Sequence, residues 1–167
     1  MIQNLNSNIS DIITLNNIVY NANLYNKSQV LQFITDLFCR QAPNLNNNTV
    51  FSSLLTREHH NTTAIGHGLA LPHCRSEYIQ QPLACILLLN HSINYNTENN
   101  TKNFEPQLVK IVFGIMVPES NHKQHLLFLA QIAKLLSKTE IRKNLESAEN
   151  AREVYNLISL INRYEDK

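Results

Sequence analysis

Over residues 27–43 the apolar side chains repeat on one helical face: Val30, Phe33, Ile34, Leu37 and Phe38 stand at i, i+3, i+4, i+7 and i+8. Asn26-Lys27-Ser28 offers a cap ahead of this stripe, and Pro43 ends it because proline cannot continue a helix. A second amphipathic helix is expected with Thr49 as its cap, burying Val50, Phe51, Leu54 and Leu55. Arg57 and Glu58 lie at its end, so Arg57 emerges where helix becomes loop. The pattern then changes. Residues 65–71, 83–89 and 108–117 are short apolar runs, several positions β-branched, bounded by Gly, Pro or Asn; each predicts a strand, the last two buried on both faces. Over 121–138 a broad apolar face of Leu126, Leu127, Leu129, Ala130, Ile132, Ala133, Leu135 and Leu136 closes on Lys134 and Lys138, where a helix dipole favours cations. Ile141 and Leu145 suggest a short helix. Asn150 and Glu153 resemble a capping box ahead of a final helix carrying Val154, Leu157, Ile158 and Ile161.

Helices, then strands, then helices predict one α/β domain spanning 1–167, with a core over about 10–161 and a mixed central sheet flanked by helices on both faces. The all-polar run at 97–103 reads as a loop inserted in a hairpin. With 43% hydrophobic and 16% charged residues the chain is ordinary globular protein, and its 167 residues suit one core. A net charge of +1 supplies no field for phosphate backbones or anionic lipid, so nucleic acid is not an expected partner. The first residues lack a signal peptide's basic start and apolar stretch, and no apolar run is long enough to span a bilayer. Three cysteines, Cys39, Cys74 and Cys85, form no CxxC pair and fit a reducing compartment. The expectation is a cytoplasmic protein without membrane insertion.

Seven histidines in a chain with three glycines and no tryptophan call for explanation. His59, His60, His67 and His73 form one group, His122 and His125 another. His73 follows Gly66-His67-Gly68-Leu69-Ala70-Leu71-Pro72; the glycines permit close backbone approach, and Pro72 fixes the chain just before the histidine. A neutral imidazole held this way can attack phosphorus with one ring nitrogen while a hydrogen bond fixes the other. Phosphoryl transfer further needs alignment and charge stabilisation. Arg57 could clamp the phosphoryl oxygens bidentately, and His125, at the start of the long helix, could add a contact where the dipole favours an anion. A metal site built from His67, His73, His122 and His125 is the competing reading, but its spacing is unpatterned and no Cys or carboxylate joins it.

Arg57-Glu58, Thr62-Thr63 and Ile65-Gly66-x-Gly68-Leu69-Ala70-Leu71-Pro72-His73 resemble the signature of fructose/mannitol-type enzyme IIA domains of the phosphotransferase system, above all the stand-alone nitrogen-regulatory branch. Pro118, with His125-Leu126 seven residues on, resembles the second histidine segment of that family. The resemblance implies that His73 accepts the phosphoryl group and that Arg57 and His125 line its site. It implies no cofactor and no metal. It also implies a phosphocarrier role: phosphate from phosphoenolpyruvate passes through enzyme I and an HPr-like phosphocarrier protein of the nitrogen type, and the phosphorylation state regulates a target the sequence does not name. A sugar-specific IIA passing phosphate to a IIB component is the near alternative, and a non-catalytic binding module the further one. Where Cys74 stands the family commonly has glycine. Were the backbone there at positive φ, cysteine would cost about 1 kcal/mol or more and tilt His73.

Overall fold

The structure, a computed structural model, describes residues 8–96 and 105–165, with side chains as far as 160. The 97–103 run and the side chain of Ile161 lie outside the described residues. The elements are helix α1 (Ile9–Ile12), a 3₁₀ turn (Leu15–Asn17), strand β1 (Ile18–Ala22), helices α2 (Lys27–Gln41) and α3 (Asn47–His60), strands β2 (Ala64–Gly66), β3 (Leu69–Ala70), β4 (His73–Ser76), β5 (Leu83–Asn94) and β6 (Leu108–Pro118), and helices α4 (His122–Ser137), α5 (Thr139–Glu146) and α6 (Ala151–Glu165). One mixed sheet runs β1-β5-β6-β3-β2, with β4 also paired to β6. The hairpin of β5 and β6 is its antiparallel spine. β1 joins β5 in parallel, and β3 and β4 follow one another in parallel along the other edge of β6.

Period-two alternation sorts the strand residues into two cores. Cys85, Leu87, Leu89, Val112 and Met116 face α2 and α3. Ala84, Ile86, Leu88, Phe113 and Ile115 face α1, α4, α5 and α6. The expected sheet with helices on both faces is therefore what forms, and the long strands are buried on both sides because each side carries a helical layer. Gly114 sits opposite Cys85 in the ladder. A Cβ there would meet Cys85 Sγ at 2.7 Å and Ile34 Cγ2 at 3.0 Å, so its bare backbone lets α2 pack close to the sheet.

Local differences from the sequence reading have physical causes. The run 65–71 is not one strand. Gly66 (φ +87°), His67 (φ +54°) and Gly68 (φ +78°) turn left-handed and fold it into the β2–β3 hairpin. Nothing would crowd a Cβ at either glycine, so they serve the turn rather than a close approach. The cap of α3 is Asn46, whose side chain accepts from Thr49 N–H at 3.1 Å, in place of Thr49 itself. Asn26 does cap α2, accepting from Gln29 N–H at 2.9 Å. In α4 the stripe turned to the sheet is Phe128, Ile132, Leu135 and Leu136, whereas Leu126 is 69% exposed and Leu127 is also on the surface. Strand β1 escaped the reading altogether.

Candidate functional site

β4 begins at His73, immediately after Pro72, whose carbonyl accepts from Ile115 N–H at 3.0 Å. The strand then runs beside β6, His73 opposite Ile115 and Cys74 opposite Met116. Alternation sends His73 and Arg75 to one side of the strand and Cys74 to the other, into the core beneath α2 and α3. Among the described non-glycine residues only Asn21 and His67 have positive φ, so Cys74 sits in extended backbone without strain. The expected penalty at this position does not arise. Burial also pushes the Cys74 thiol up to about 12, which keeps it protonated and unreactive. Cys74→Gly is therefore expected to destabilise the protein by about 1–2 kcal/mol, through strand backbone entropy and lost burial. Urea melts check the cost. A faster phosphoryl transfer by this variant, instead of an unchanged one, would restore the idea that Cys74 tilts His73.

His73 is buried, and both ring nitrogens are engaged. Nδ1 lies 2.7 Å from Leu71 O. A carbonyl can only accept, so Nδ1 carries the proton and Nε2 holds the lone pair. Arg57, in the last turn of α3, donates from Nε to His73 Nε2 at 3.0 Å and from Nη1 to Asn61 O at 2.7 Å. Nη2 has no protein acceptor among the described residues. Because Nε–H and Nη2–H project from the same side of a guanidinium, Arg57 presents a fork toward Nε2 while its far nitrogen is tethered.

His125 stands edge-on to His73, ring centroids 4.9 Å apart at 88°. It extends the inward stripe of α4 by one turn, since 125, 128, 132 and 135 share a face. Sequence, strand and helix thus bring His73, Arg57 and His125 together, as the motif implied. They share a cavity of about 900 Å³ between α3 and the start of α4. Arg75 and His122 line it as well; His122 was expected beside His73 and His125 only in the competing metal reading, and Arg75 was not expected there. Arg75 contacts the His122 ring through Nη1 and pairs with Glu119 at 3.9 Å. The i+2 spacing from His73 to Arg75 was the available signal. His60 also faces this cavity, while His67 caps the β2–β3 turn away from it. Among the described residues no group of three His, Cys, Asp or Glu side chains is arranged to hold a metal.

The cations and the burial both act on the histidines. Burial lowers the His73 pKa below 6.5, the Arg57 charge adds to this, and the Nδ1 bond to Leu71 works against it. His125, without such a bond, is lowered further, to about 4, by burial and then by the His73, Arg75, Arg57 and His122 charges. Both rings are neutral at pH 7, the state a nucleophile requires. Titration of the His73 ring by NMR should give a midpoint below 6.5, so that the ring stays neutral to a lower pH than a free imidazole. A midpoint at or above that value would contradict this electrostatic picture.

The chain belongs to the EIIA 2 family of the phosphoenolpyruvate-dependent sugar phosphotransferase system, whose family model matches residues 11–160. Within that family it is similar to the nitrogen regulatory protein of Pseudomonas aeruginosa, with 32% identity over 132 residues, 79% of this chain and 82% of the relative. Its fold matches the crystal structure of nitrogen regulatory protein IIA-Ntr from Neisseria meningitidis, with TM-score 0.80 and 25% identity over 90% of this chain and 98% of that one. The fold is also that of the mannitol IIA of Escherichia coli, with TM-score 0.70 and 16% identity over 87% of this chain and 98% of the other. Membership supports a phosphocarrier role in the phosphotransferase system. No helix among the described residues is long and apolar enough to cross a membrane.

Proposed function

We propose that the protein accepts a phosphoryl group on His73 Nε2 from an HPr-like phosphocarrier protein, itself charged through enzyme I from phosphoenolpyruvate, and acts in the cytoplasm as a nitrogen or metabolic regulator through its phosphorylation state. The observation that carries this reading is the lone pair of His73 Nε2, fixed by the Nδ1 bond to Leu71 and faced by the Arg57 fork. In the transfer the Nε2 lone pair forms a bond to phosphorus as the donor's N–P bond breaks, and that bond's electron pair returns to the donor imidazole. His73 keeps its Nδ1 proton. The positive charge its ring gains is offset by the phosphoryl dianion, so no further proton acceptor is needed.

Arg57 Nε loses its acceptor when the N–P bond forms, and the Nε/Nη2 fork is then free for two phosphoryl oxygens. His125 adds a contact from the first turn of α4, where backbone N–H groups favour an anion. The nitrogen-regulatory branch is favoured by the similarity to proteins of that name. The test is incubation with phosphoenolpyruvate, enzyme I and either the nitrogen-type or the general HPr protein. An acid-labile, alkali-stable protein phosphate, formed faster with the nitrogen-type carrier, is expected. No phosphate from either donor would overturn the reading, and faster charging by the general carrier would move the protein to the sugar-specific branch.

A further inference from the structure

The residue after Arg57 presents an anomaly that phosphoryl transfer does not by itself use. Glu58 lies in the last turn of α3 with its side chain fully buried, 0% exposed, and Lys27, 8% exposed, approaches it at 4.0 Å. Lys27 is the first residue of α2, following its Asn26 cap, a helix end where the dipole disfavours a cation. Burying such a pair costs several kcal/mol of desolvation per ion unless further hydrogen bonds satisfy it, and a well-packed apolar pair often serves stability as well. Here the carboxylate is well satisfied. Thr63 N–H donates to Oε2 at 3.2 Å, the Thr63 hydroxyl donates to Oε1, and the Tyr95 hydroxyl reaches Oε1 at 3.3 Å. The Lys27 ammonium also lies 5.3 Å from the centroid of the Tyr95 ring. Three separate pieces of chain, α2, the turn before β2 and the residue just after β5, meet on this one carboxylate of α3.

What Glu58 holds in place is the turn after α3. Asn61 and Thr63 are two residues apart, Thr63 is pinned to Glu58, and the Asn61 carbonyl is the group that tethers Arg57 Nη1. A continuous path therefore runs from the Glu58 carboxylate through residues 61–63 to the orientation of the Arg57 guanidinium, and from its Nε to His73 Nε2. Thr63 O further accepts from Leu71 N–H at 3.0 Å, and Leu71 O is the acceptor that fixes Nδ1. Both nitrogens of the His73 ring are thus referenced to the same pinned turn.

We propose that Glu58 is a positioning residue for phosphoryl transfer: with Lys27, Thr63 and Tyr95 it locks the 61–63 turn, which aims the Arg57 fork at His73 Nε2 and holds Leu71 beneath Nδ1. The proposal rests on His73 being the phosphoryl acceptor. Its test uses the Lys27→Met/Glu58→Met double variant, which removes both charges, leaves no unpaired ammonium and takes away the acceptor that holds Thr63. Thermal melts establish folding, ¹⁵N NMR of the uncharged protein reads the hydrogen bond at His73 Nε2, and transfer rates are taken from the charged HPr-like donor.

The Nε2 resonance should move to its position in Arg57→Lys, and transfer should slow about 10- to 100-fold, the range a misplacement of about 1 Å can produce. Adding Arg57→Lys should then slow transfer no further than Arg57→Lys does alone, because both changes act through one guanidinium. An unshifted Nε2 resonance, or losses that multiply, would overturn the proposal. So would an equal slowing in Ile158→Ala, a core variant in α6 chosen to lose a similar amount of stability. Should the double variant not fold, Thr63→Val removes only the hydroxyl contact and must show the same resonance shift with a smaller slowing. If the wild type takes no phosphate from any donor, the acceptor reading fails, while the ¹⁵N shift still decides whether Glu58 orients Arg57.

Discussion

His73→Gln should carry no acid-labile phosphate under conditions that charge the wild type fully. Glutamine has no nucleophilic nitrogen, yet its amide N–H can still donate toward Leu71 O, so the acceptor that fixes Nδ1 at 2.7 Å keeps a partner and the fold should survive. The expected drop is to background, a larger loss than any change in the surrounding charges can cause, because the covalent bond itself is removed. The measurement is protein-bound phosphate after incubation with phosphoenolpyruvate and the upstream carriers, quenched in alkali and compared with the wild type on the same gel. Retention at the wild-type level would place the acceptor elsewhere, with His125 the first candidate to map by mass spectrometry, since its ring centroid is 4.9 Å from that of His73. The lowered pKa of His125 argues that it stays neutral and available as a hydrogen-bond donor until a dianion arrives beside it.

What could be read in the chain beforehand follows from the range of each interaction. The stripes of α2 and α3 are local, so Val30, Ile34, Leu37 and Phe38, and then Val50 and Leu54, point inward as the 3.6-residue repeat requires. Arg57 and His73 lie 16 positions apart, and only the motif linked them; the Nε–Nε2 hydrogen bond depends on β4 pairing with the far end of β6, which no local pattern encodes. His125 was legible twice, as a motif residue and as the next inward position of the α4 stripe. Arg75 was legible once, by strand alternation from His73, but β4 itself, four residues with no apolar run, carries no strand pattern of its own. β1 was hidden because Tyr20 and Asn21 interrupt its apolar pattern at the edge of the sheet, where its outer positions are exposed. The left-handed turn at 66–68 defeated the strand reading of 65–71, since apolar periodicity carries no information on the sign of φ. Glu58 is the extreme case. Its partners Lys27, Thr63 and Tyr95 are spread over 69 positions of the chain, and nothing but the folded β5–β6 spine brings Tyr95 beneath α3.

Arg57→Lys keeps the charge and should nonetheless slow phosphoryl transfer by about 10²- to 10³-fold, comparable with losing a preorganised oxyanion donor. In the proposed transfer the guanidinium would do two jobs at once: Nη1 is held by Asn61 O at 2.7 Å, and the Nε/Nη2 side would face the phosphoryl oxygens. A lysine ammonium that reaches for Asn61 O is drawn away from His73, and one that reaches for the phosphate leaves the tether behind. Its single nitrogen cannot offer a planar pair of donors in either case. Because Arg57 is only partly buried and its charge is preserved, stability should change little, so a fall in rate reports on geometry rather than unfolding. Single-turnover transfer from a charged carrier protein, with donor concentration varied, separates the possibilities. A loss confined to the maximal rate assigns Arg57 to the transition state, whereas a loss confined to half-saturation makes it a docking cation for the partner. A wild-type rate with lysine would show that charge alone suffices and that the tethered fork is not what the reaction uses.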